Sequence, residues 1–557
     1  MFLFTTIAYG QNIDFESFGK GKALKVSGGI SANSVFYNAN QQTGREAFTY
    51  FLQGNLNLSL YQFSMPISYS YSNQGALLNY NVPFKFNRFS LHPKYKWFQG
   101  HIGDVTMNFS PYTLNGHLFT GGGVELTPKG KFKVSAMGGR LLRATEDDDE
   151  PNTIPAFTRM GYGLNVGYEH NKLALNVIGF YAKDQMNSIS TIPEEKGVTP
   201  KENLVVSLGG AYKISEDLDI IAEYASTAIT QDLRAEDSSN GEGLASLLFN
   251  DKSSTEYHKA IKAGFNYSFK KATLGVTYER IDPGYETLGA YFFNNDFENI
   301  TLNSTTMLLK DKLSLSFNIG YQRDNLEKQK EQSTNRTVGS VNASYTASER
   351  LTLTAMYSNF TTFTNARLDQ FETINDDNLL DNANEQFDYK QLSQNANINV
   401  NYILAKSEKN QQNLNVNYAL ADVSNEQNGI VRIGNASTFH NANVSYSLVF
   451  PKKKTAITTA INGTVNTIEK ENATTWGPTL GVNKKFLDNK LNTGFAASYN
   501  SSTSKTSFTS VTNFRINANY VYKDKHNFNL NGIQLFRNST SNYGKELTIT
   551  FGYNYSF

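Results

Sequence analysis

The chain has 557 residues, 51 Lys plus Arg against 50 Asp plus Glu, and no cysteine, so neither a nucleic-acid footprint nor a polybasic membrane patch is indicated. Disulfide staples and thiolate metal sites are excluded. Mean hydropathy is −0.45, and no run of about 18 apolar residues offers a spanning helix, yet aromatic residues reach 13% in a chain that no Pro-rich or Ser/Gly-rich linker divides.

The start, Met-Phe-Leu-Phe-Thr-Thr-Ile-Ala-Tyr-Gly-Gln-Asn, is an apolar run ending in Ala8-Tyr9-Gly10. Residues 1–10 are expected to be the remnant of a secretory signal cut before Gln11, lacking its basic region. Residues 11–21, where Asp14, Glu16 and Lys20 surround isolated Phe15 and Phe18, read as a short periplasmic lead-in. From residue 22 to 557 the pattern is strand alternation, in which successive side chains point to opposite faces.

Strands are predicted at 23–37, 47–60, 63–72 (interrupted by Pro66, which belongs at an edge or bulge), 84–91 and 99–109. They continue at 118–127, 131–143, 158–169, 173–183, 203–214, 218–229, 257–269, 272–282, 297–309, 312–324, 335–347, 350–362, 389–404, 411–424, 436–450, 454–467, 474–486, 489–501, 507–522, 526–537 and 544–557. The alternation is plain in Leu313, Leu315, Phe317, Ile319 and Tyr321 against Ser314, Ser316, Asn318 and Gly320. Short turns such as Asn171-Lys172, Lys270-Lys271 and Leu487-Asp488-Asn489 take alternate places with long loops at 144–157, 184–202, 230–256, 283–296 and 363–388. Short turns at one rim and long loops at the other are the arrangement of a transmembrane barrel, and soluble sandwiches lack it. The fold class is therefore all-β: one large antiparallel transmembrane β-barrel of about 26 strands, within a range of 22 to 26, with no room for an N-terminal plug domain.

In the last strand Leu547, Ile549, Phe551, Tyr553, Tyr555 and Phe557 form one apolar row, against Thr548, Thr550, Gly552, Asn554 and Ser556. This resembles the closing strand of bacterial outer-membrane β-barrels. The resemblance implies that Tyr553, Tyr555 and Phe557 are the signal read by the barrel-assembly machinery. The leader-like ending and the Tyr/Asn/Ser-rich strands resemble exported proteins of the Bacteroidota. Seating in the outer membrane of a Gram-negative cell, against lipid and lipopolysaccharide, with export by the general secretory route, follows as an expectation.

A lumen of about 26 strands exceeds what side chains fill. The internal segment best suited to occupy it is loop 283–296, whose Tyr285, Leu288, Tyr291, Phe292 and Phe293 are too apolar for a solvated loop. It reads as a constriction or docking loop, or as a loop packed on its own wall. The acidic run Glu146 to Glu150, and Asp376, Asp377 and Asp381, lack calcium-loop spacing and read as solvated tips. Seven scattered histidines show no metal spacing, Gly121 to Gly123 and Gly161-x-Gly163 mark close approaches, and no serine has a nucleophile context. No enzyme, cofactor or metal is expected. Two functions remain. One is a pore or translocation channel with a polar lumen. The other is a barrel capped by a plug or lipoprotein partner within an export, assembly or surface complex.

Overall fold

The computed structural model describes residues 24–41, 45–73, 87–148, 153–192, 196–239, 241, 243–291, 293–328, 335–365, 388–427, 430–468, 471–505, 507–540 and 542–557. The leader-like residues 1–10, the lead-in 11–21, Phe292, Asp149, Glu150, Asp376, Asp377 and Asp381 lie outside them.

The strands are β1 (Leu24–Ala39), β2 (Phe48–Leu60), β3 (Phe63–Ser72), β4 (Arg88–Leu91), β5 (Lys94–Tyr95), β6 (Phe98–Asn108), β7 (Asn115–Leu126), β8 (Phe132–Leu142) and β9 (Thr158–His170). Next come β10 (Leu173–Gln185), β11 (Glu202–Lys213), β12 (Leu218–Thr230), β13 (Thr255–Phe269), β14 (Ala272–Ile281), β15 (Phe297–Leu308), β16 (Leu313–Asp324), β17 (Asn335–Ser348) and β18 (Leu351–Asn365). The last are β19 (Asp388–Lys406), β20 (Gln411–Gln427), β21 (Ile430–Phe450), β22 (Thr455–Ile468), β23 (Glu471–Phe486), β24 (Leu491–Thr503), β25 (Phe508–Tyr522), β26 (His526–Ser539) and β27 (Tyr543–Ser556).

Apart from β4 and β5, each pairs antiparallel with its neighbours in sequence, and β27 pairs back onto β1, so the sheet closes. β4 and β5 share one place between β3 and β6, which makes 26 positions around the cylinder. At the seam the Gly28 and Phe557 amides each donate to the other's carbonyl at 3.0 Å. Closure removes every free backbone edge, the condition for a sheet in hydrocarbon.

The expected strand count is met, and the strands expected before residue 118 are present; the one at 84–91 is strand from Arg88, with 84–86 outside the described residues. There is one irregularity. Pro66 accepts the His92 amide at 2.8 Å, and a strand residue points its N and its C=O to the same side. The one bond that proline cannot give, to the His92 carbonyl, therefore falls at the break between β4 and β5 and not inside a continuous ladder. Five strands run three or more residues past their expected bounds: β7 starts at Asn115, β18 ends at Asn365, β20 ends at Gln427, β21 starts at Ile430 and β23 starts at Glu471.

One face of the wall carries exposed apolar side chains: Leu24, Val26 and Ile30 on β1, Leu175 and Val177 on β10, Ile300 and Leu302 on β15, Ile461 on β22 and Phe551 on β27. At the short-turn rim, left-handed residues Asn171, Lys310, Asp311, Asp488, Asn489 and Asp524 close the hairpins, a conformation that Asn and Asp tolerate best. At the other rim the stretches between strands are mostly long up to β19; after it they are only 428–429, 469–470, 504–507 and 540–542. There β19, β20 and β21 have 19, 17 and 21 residues, about twice what a membrane-spanning strand needs, so this wall is extended as sheet instead of loop.

Candidate functional site: a loop core on one lumen wall

β10 reads Leu-Ala-Leu-Asn-Val-Ile-Gly-Phe-Tyr-Ala from Leu173, apolar on both faces toward its long-loop end. Leu175 and Val177 are exposed, whereas Ile178, Phe180 and Ala182 on the opposite face are buried. Val205 on β11, Ala225 and Ile229 on β12, Ala260 on β13, Ile281 on β14, Val105 and Met107 on β6 and Met137 on β8 join them in one cluster. An apolar inner wall needs a cover, and two chain reversals supply it.

The first is Phe109 to Leu114, between β6 and β7. The Phe109 amide donates to Leu114 O at 2.9 Å, the Thr113 amide to Ser110 O at 3.3 Å, and the Tyr112 amide to Ser110 Oγ at 3.2 Å. This tight turn drives Tyr112 and Leu114 into the cluster.

The second is residues 282–296. It is pinched at its base by the Asp296 amide donating to Asp282 O at 3.4 Å, and turned by Gly284 at φ 75°. A side chain at Gly284 would be strained and would press on the His258 ring, 2.7 Å from where its Cβ would lie. Tyr285 Oη donates to Tyr112 O at 2.9 Å, and Thr287 Oγ1 to Thr113 O at 2.8 Å. The Asn115 amide donates to Gly289 O, and the Leu288 amide to Asn203 Oδ1 at 3.0 Å. Asn203 in turn donates to Thr227 Oγ1 and Ala228 O, and Thr227 Oγ1 donates to Glu286 O. Further bonds close within the loop, from the Gly289 amide to Thr287 Oγ1 and from Asn295 to Tyr285 O, and such pairing is what allows irregular backbone to sit in a dry place.

Of the residues singled out from sequence, Tyr285 and Leu288 are buried in the cluster. Phe293 packs on Tyr285 with ring centroids 5.0 Å apart. Tyr291 stands apart from them: it stacks on His117 at 4.1 Å and accepts the Leu118 amide at 3.1 Å, which pins the far end of the loop to β7. Burial pushes the Tyr285 phenol well above its ordinary range. It raises Tyr112 as well, helped by the Glu279 carboxylate that Tyr112 hydrogen-bonds, and raises Tyr291 against the lowering effect of the Leu118 amide. All three stay neutral hydrogen-bonding groups at any physiological pH.

Three features of the site are absent from the sequence reading. Tyr112 and Leu114 were not singled out, although the two-sided apolar runs of β10 and β11 mark a wall with burial on both faces. Arg159 donates to both oxygens of Asp184 at 2.8 and 2.9 Å, and the Lys201 amide adds a third bond to that carboxylate. Glu286 lies 3.9 Å from Lys201, which ties the lumen loop to the loop after β10. Finally, Glu146 and Asp147 are not a free acidic tip. Glu146 accepts the Ser190 amide and hydroxyl, and Asp147 accepts Lys196 Nζ at 2.6 Å, so these carboxylates fasten the loop after β8 to the loop after β10. Their partners lie more than forty residues downstream, where no local pattern points to them.

The histidines, scattered in sequence, include one pair in space. His92 Nδ1 and His101 Nδ1 are 3.0 Å apart, His92 Nε2 meets Ser90 Oγ at 3.2 Å, and His101 Nε2 lies 3.4 Å from Glu125. His92 thus bridges Ser90 and His101 near the short-turn rim, and the buried His101 Nε2 faces Glu125 without a hydrogen bond to it. Of the glycines of Gly121–Gly123 and Gly161-x-Gly163, Gly123, Gly161 and Gly163 sit where the cluster presses on the wall, whereas Gly121 faces the β8 backbone and Gly122 has no close neighbour. A Cβ at Gly163 would come within 2.7 Å of the Phe109 ring, and one at Gly123 would overlap Met107 Sδ.

No family model and no curated protein matches the sequence. Among solved structures the chain is similar to the translocation pore of the P pilus usher, at 10% identity and a TM-score of 0.39, with 95% of this chain and 98% of that one covered. It is similar also to the FrpB iron transporter of Neisseria meningitidis (11% identity, TM-score 0.35, 97% and 82% covered) and to OpdL of Pseudomonas aeruginosa (11%, 0.30, 69% and 98%). These likenesses concern the barrel fold alone.

Proposed function

We propose that the chain is an outer-membrane barrel conducting polar solute or polymer through an off-centre passage, narrowed from one side by loop 282–296 and the turn Phe109 to Leu114. The outer-membrane seat is supported by closure of the sheet and by its exposed apolar outer rows. A circular 26-stranded barrel would be roughly 50 Å across, from ~4.8 Å between strands and a tilt of about 40°. Among the described residues the loop core lies against β6 to β15.

The observation that carries the reading is the chemistry of the opposite wall. There the face turned away from Ile398, Val416, Val444 and Ile461 holds cross-strand amide pairs. Asn399 and Asn415 donate to each other at 3.2 and 3.1 Å, Asn417 donates to Asn397, and Asn443 pairs with Asn462. Neutral amides with spare donors and acceptors suit a wet surface that passes polar cargo without strong charge selection. Export by the secretory route, contact with lipid and lipopolysaccharide, and reading of Tyr553, Tyr555 and Phe557 by the barrel-assembly machinery belong to the same proposal.

Planar-bilayer recording of the purified chain tests it. Stepwise conductance with weak ion selectivity is expected. A silent barrel that conducts only after a co-purifying protein is stripped away would replace the channel with the partner-capped reading.

A further inference from the structure

The loop after β12 goes outward, not inward. On β12 the face that carries Ile220 is exposed lower down, yet its continuation, Ser226, Ala228 and Thr230, is buried, as is Leu204 on the same face of β11. What covers them is residues 231–254. The Ala245 amide reaches Ser226 Oγ at 3.4 Å, Asp251 accepts the Tyr257 hydroxyl, and Thr230 and Thr255 share a 2.8 Å hydrogen bond beneath the flap. The flap is braced internally by Lys252 on Asp237 at 2.6 Å and by the Ser238 amide on Asp251 O at 3.0 Å.

On its far side the short 3-10 turn Ala245–Leu248 holds up Leu247 and Leu248, 77% and 76% exposed, more than any other large apolar side chain among the described residues. Ser226 lies two residues above Tyr224 on the same outer face, about 7 Å along the strand. Leu204 lies four residues above the exposed Leu208. The flap thus covers the outer face just above the exposed apolar rows and carries two exposed leucines there.

We propose that residues 231–254 are a built flap that rests on the outer leaflet, with Leu247 and Leu248 inserted among the lipid acyl chains beside the barrel. The occupant is lipid because the flap sits on the same outer face as the apolar rows proposed to meet lipid, directly above them, and because two neighbouring leucines on a turn that short make too small a patch for a stable protein interface. The inference rests on the membrane seat proposed above, not on conduction through the lumen.

Because the chain has no cysteine, single nitroxide labels report each position cleanly. Leu247→Cys and Leu248→Cys would be labelled in vesicles of phosphatidylethanolamine and phosphatidylglycerol, beside Ile300→Cys on the belt and Glu408→Cys in the exposed turn after β19. Collisions with oxygen and with a water-soluble nickel chelate are then compared. At both leucines the oxygen-to-nickel ratio is expected to rise several-fold above that at Glu408, toward the value at Ile300. Ratios equal to that at Glu408 would overturn the flap anchor, and so would labels shielded from both reagents, which would mean a protein contact. An Ile300 label that meets nickel freely would instead overturn the membrane seat itself.

Discussion

Asp184 accepts two bonds from Arg159 and one from the Lys201 amide where neither ion-pair partner reaches solvent freely. The pair earns its place by geometry, since desolvation of two charges offsets much of their attraction. Removing one partner is a different matter: Asp184→Ala strands a guanidinium and is expected to cost about 3–5 kcal/mol. Asp184→Asn keeps an acceptor and should cost less. Thermal unfolding in detergent, with protease digestion of the loop after β10, ranks the two variants; equal, small effects would show that the pair carries no structural load. Gly289 gives the complementary case. Its Cβ would lie 2.6 Å from Thr113 O and 2.9 Å from the Phe180 ring, so Gly289→Val cannot be accommodated without lifting the loop. Overpacking of this kind costs about 1–3 kcal/mol. Faster proteolytic cleavage within 282–296, with the barrel itself intact, is the expected sign.

At the scale of elements, loop 282–296 and the turn Phe109 to Leu114 cover one another, so neither is expected to hold its place alone. Replacing Tyr285 to Phe293 by a short Gly/Ser linker removes the bonds from Tyr285 Oη and Thr287 Oγ1 and the carbonyl that accepts the Asn115 amide. Single-channel conductance should rise and Tyr112 should become accessible to chemical modification; unchanged conductance would place the narrowest point elsewhere. The strands were legible because a two-residue period and short Asn, Asp and Lys turns are local properties, visible in Leu313 to Tyr321 or at Asn171-Lys172. The aromatic content of loop 283–296 was legible for the same reason. What could not be read are contacts made by register and by long-range return. Asn203 meets Leu288 across 85 residues, His92 meets His101 only because β5 and β6 form a hairpin, and Glu146 finds Ser190 through the folding of two loops. Chain pattern determines which face a residue takes, and closure of the cylinder determines whom it meets.

At the scale of the whole molecule everything depends on that closure, and the seam between β1 and β27 can be tested directly. Gly28 and Phe557 exchange both backbone hydrogen bonds, so in an antiparallel ladder the pairs alternate from there, and Ser31 opposite Asn554 is a pair without them. Such partners have Cα atoms about 4.5 Å apart, within the reach of a disulfide. Both side chains share the face opposite to Ile30 and Tyr555, so a bridge there leaves the apolar exterior untouched. In a chain without native cysteine, Ser31→Cys with Asn554→Cys is expected to oxidise almost completely in the assembled barrel. It should yield a species whose gel mobility changes on reduction after boiling. Shifting one partner by a residue, to Asn554's neighbour Tyr553→Cys, turns that thiol to the other face, and crosslinking should fall away. Equal crosslinking of both pairs would mean a seam without fixed register. Absence of crosslinking in the first would mean that the cylinder is open at the place where its two ends are drawn together.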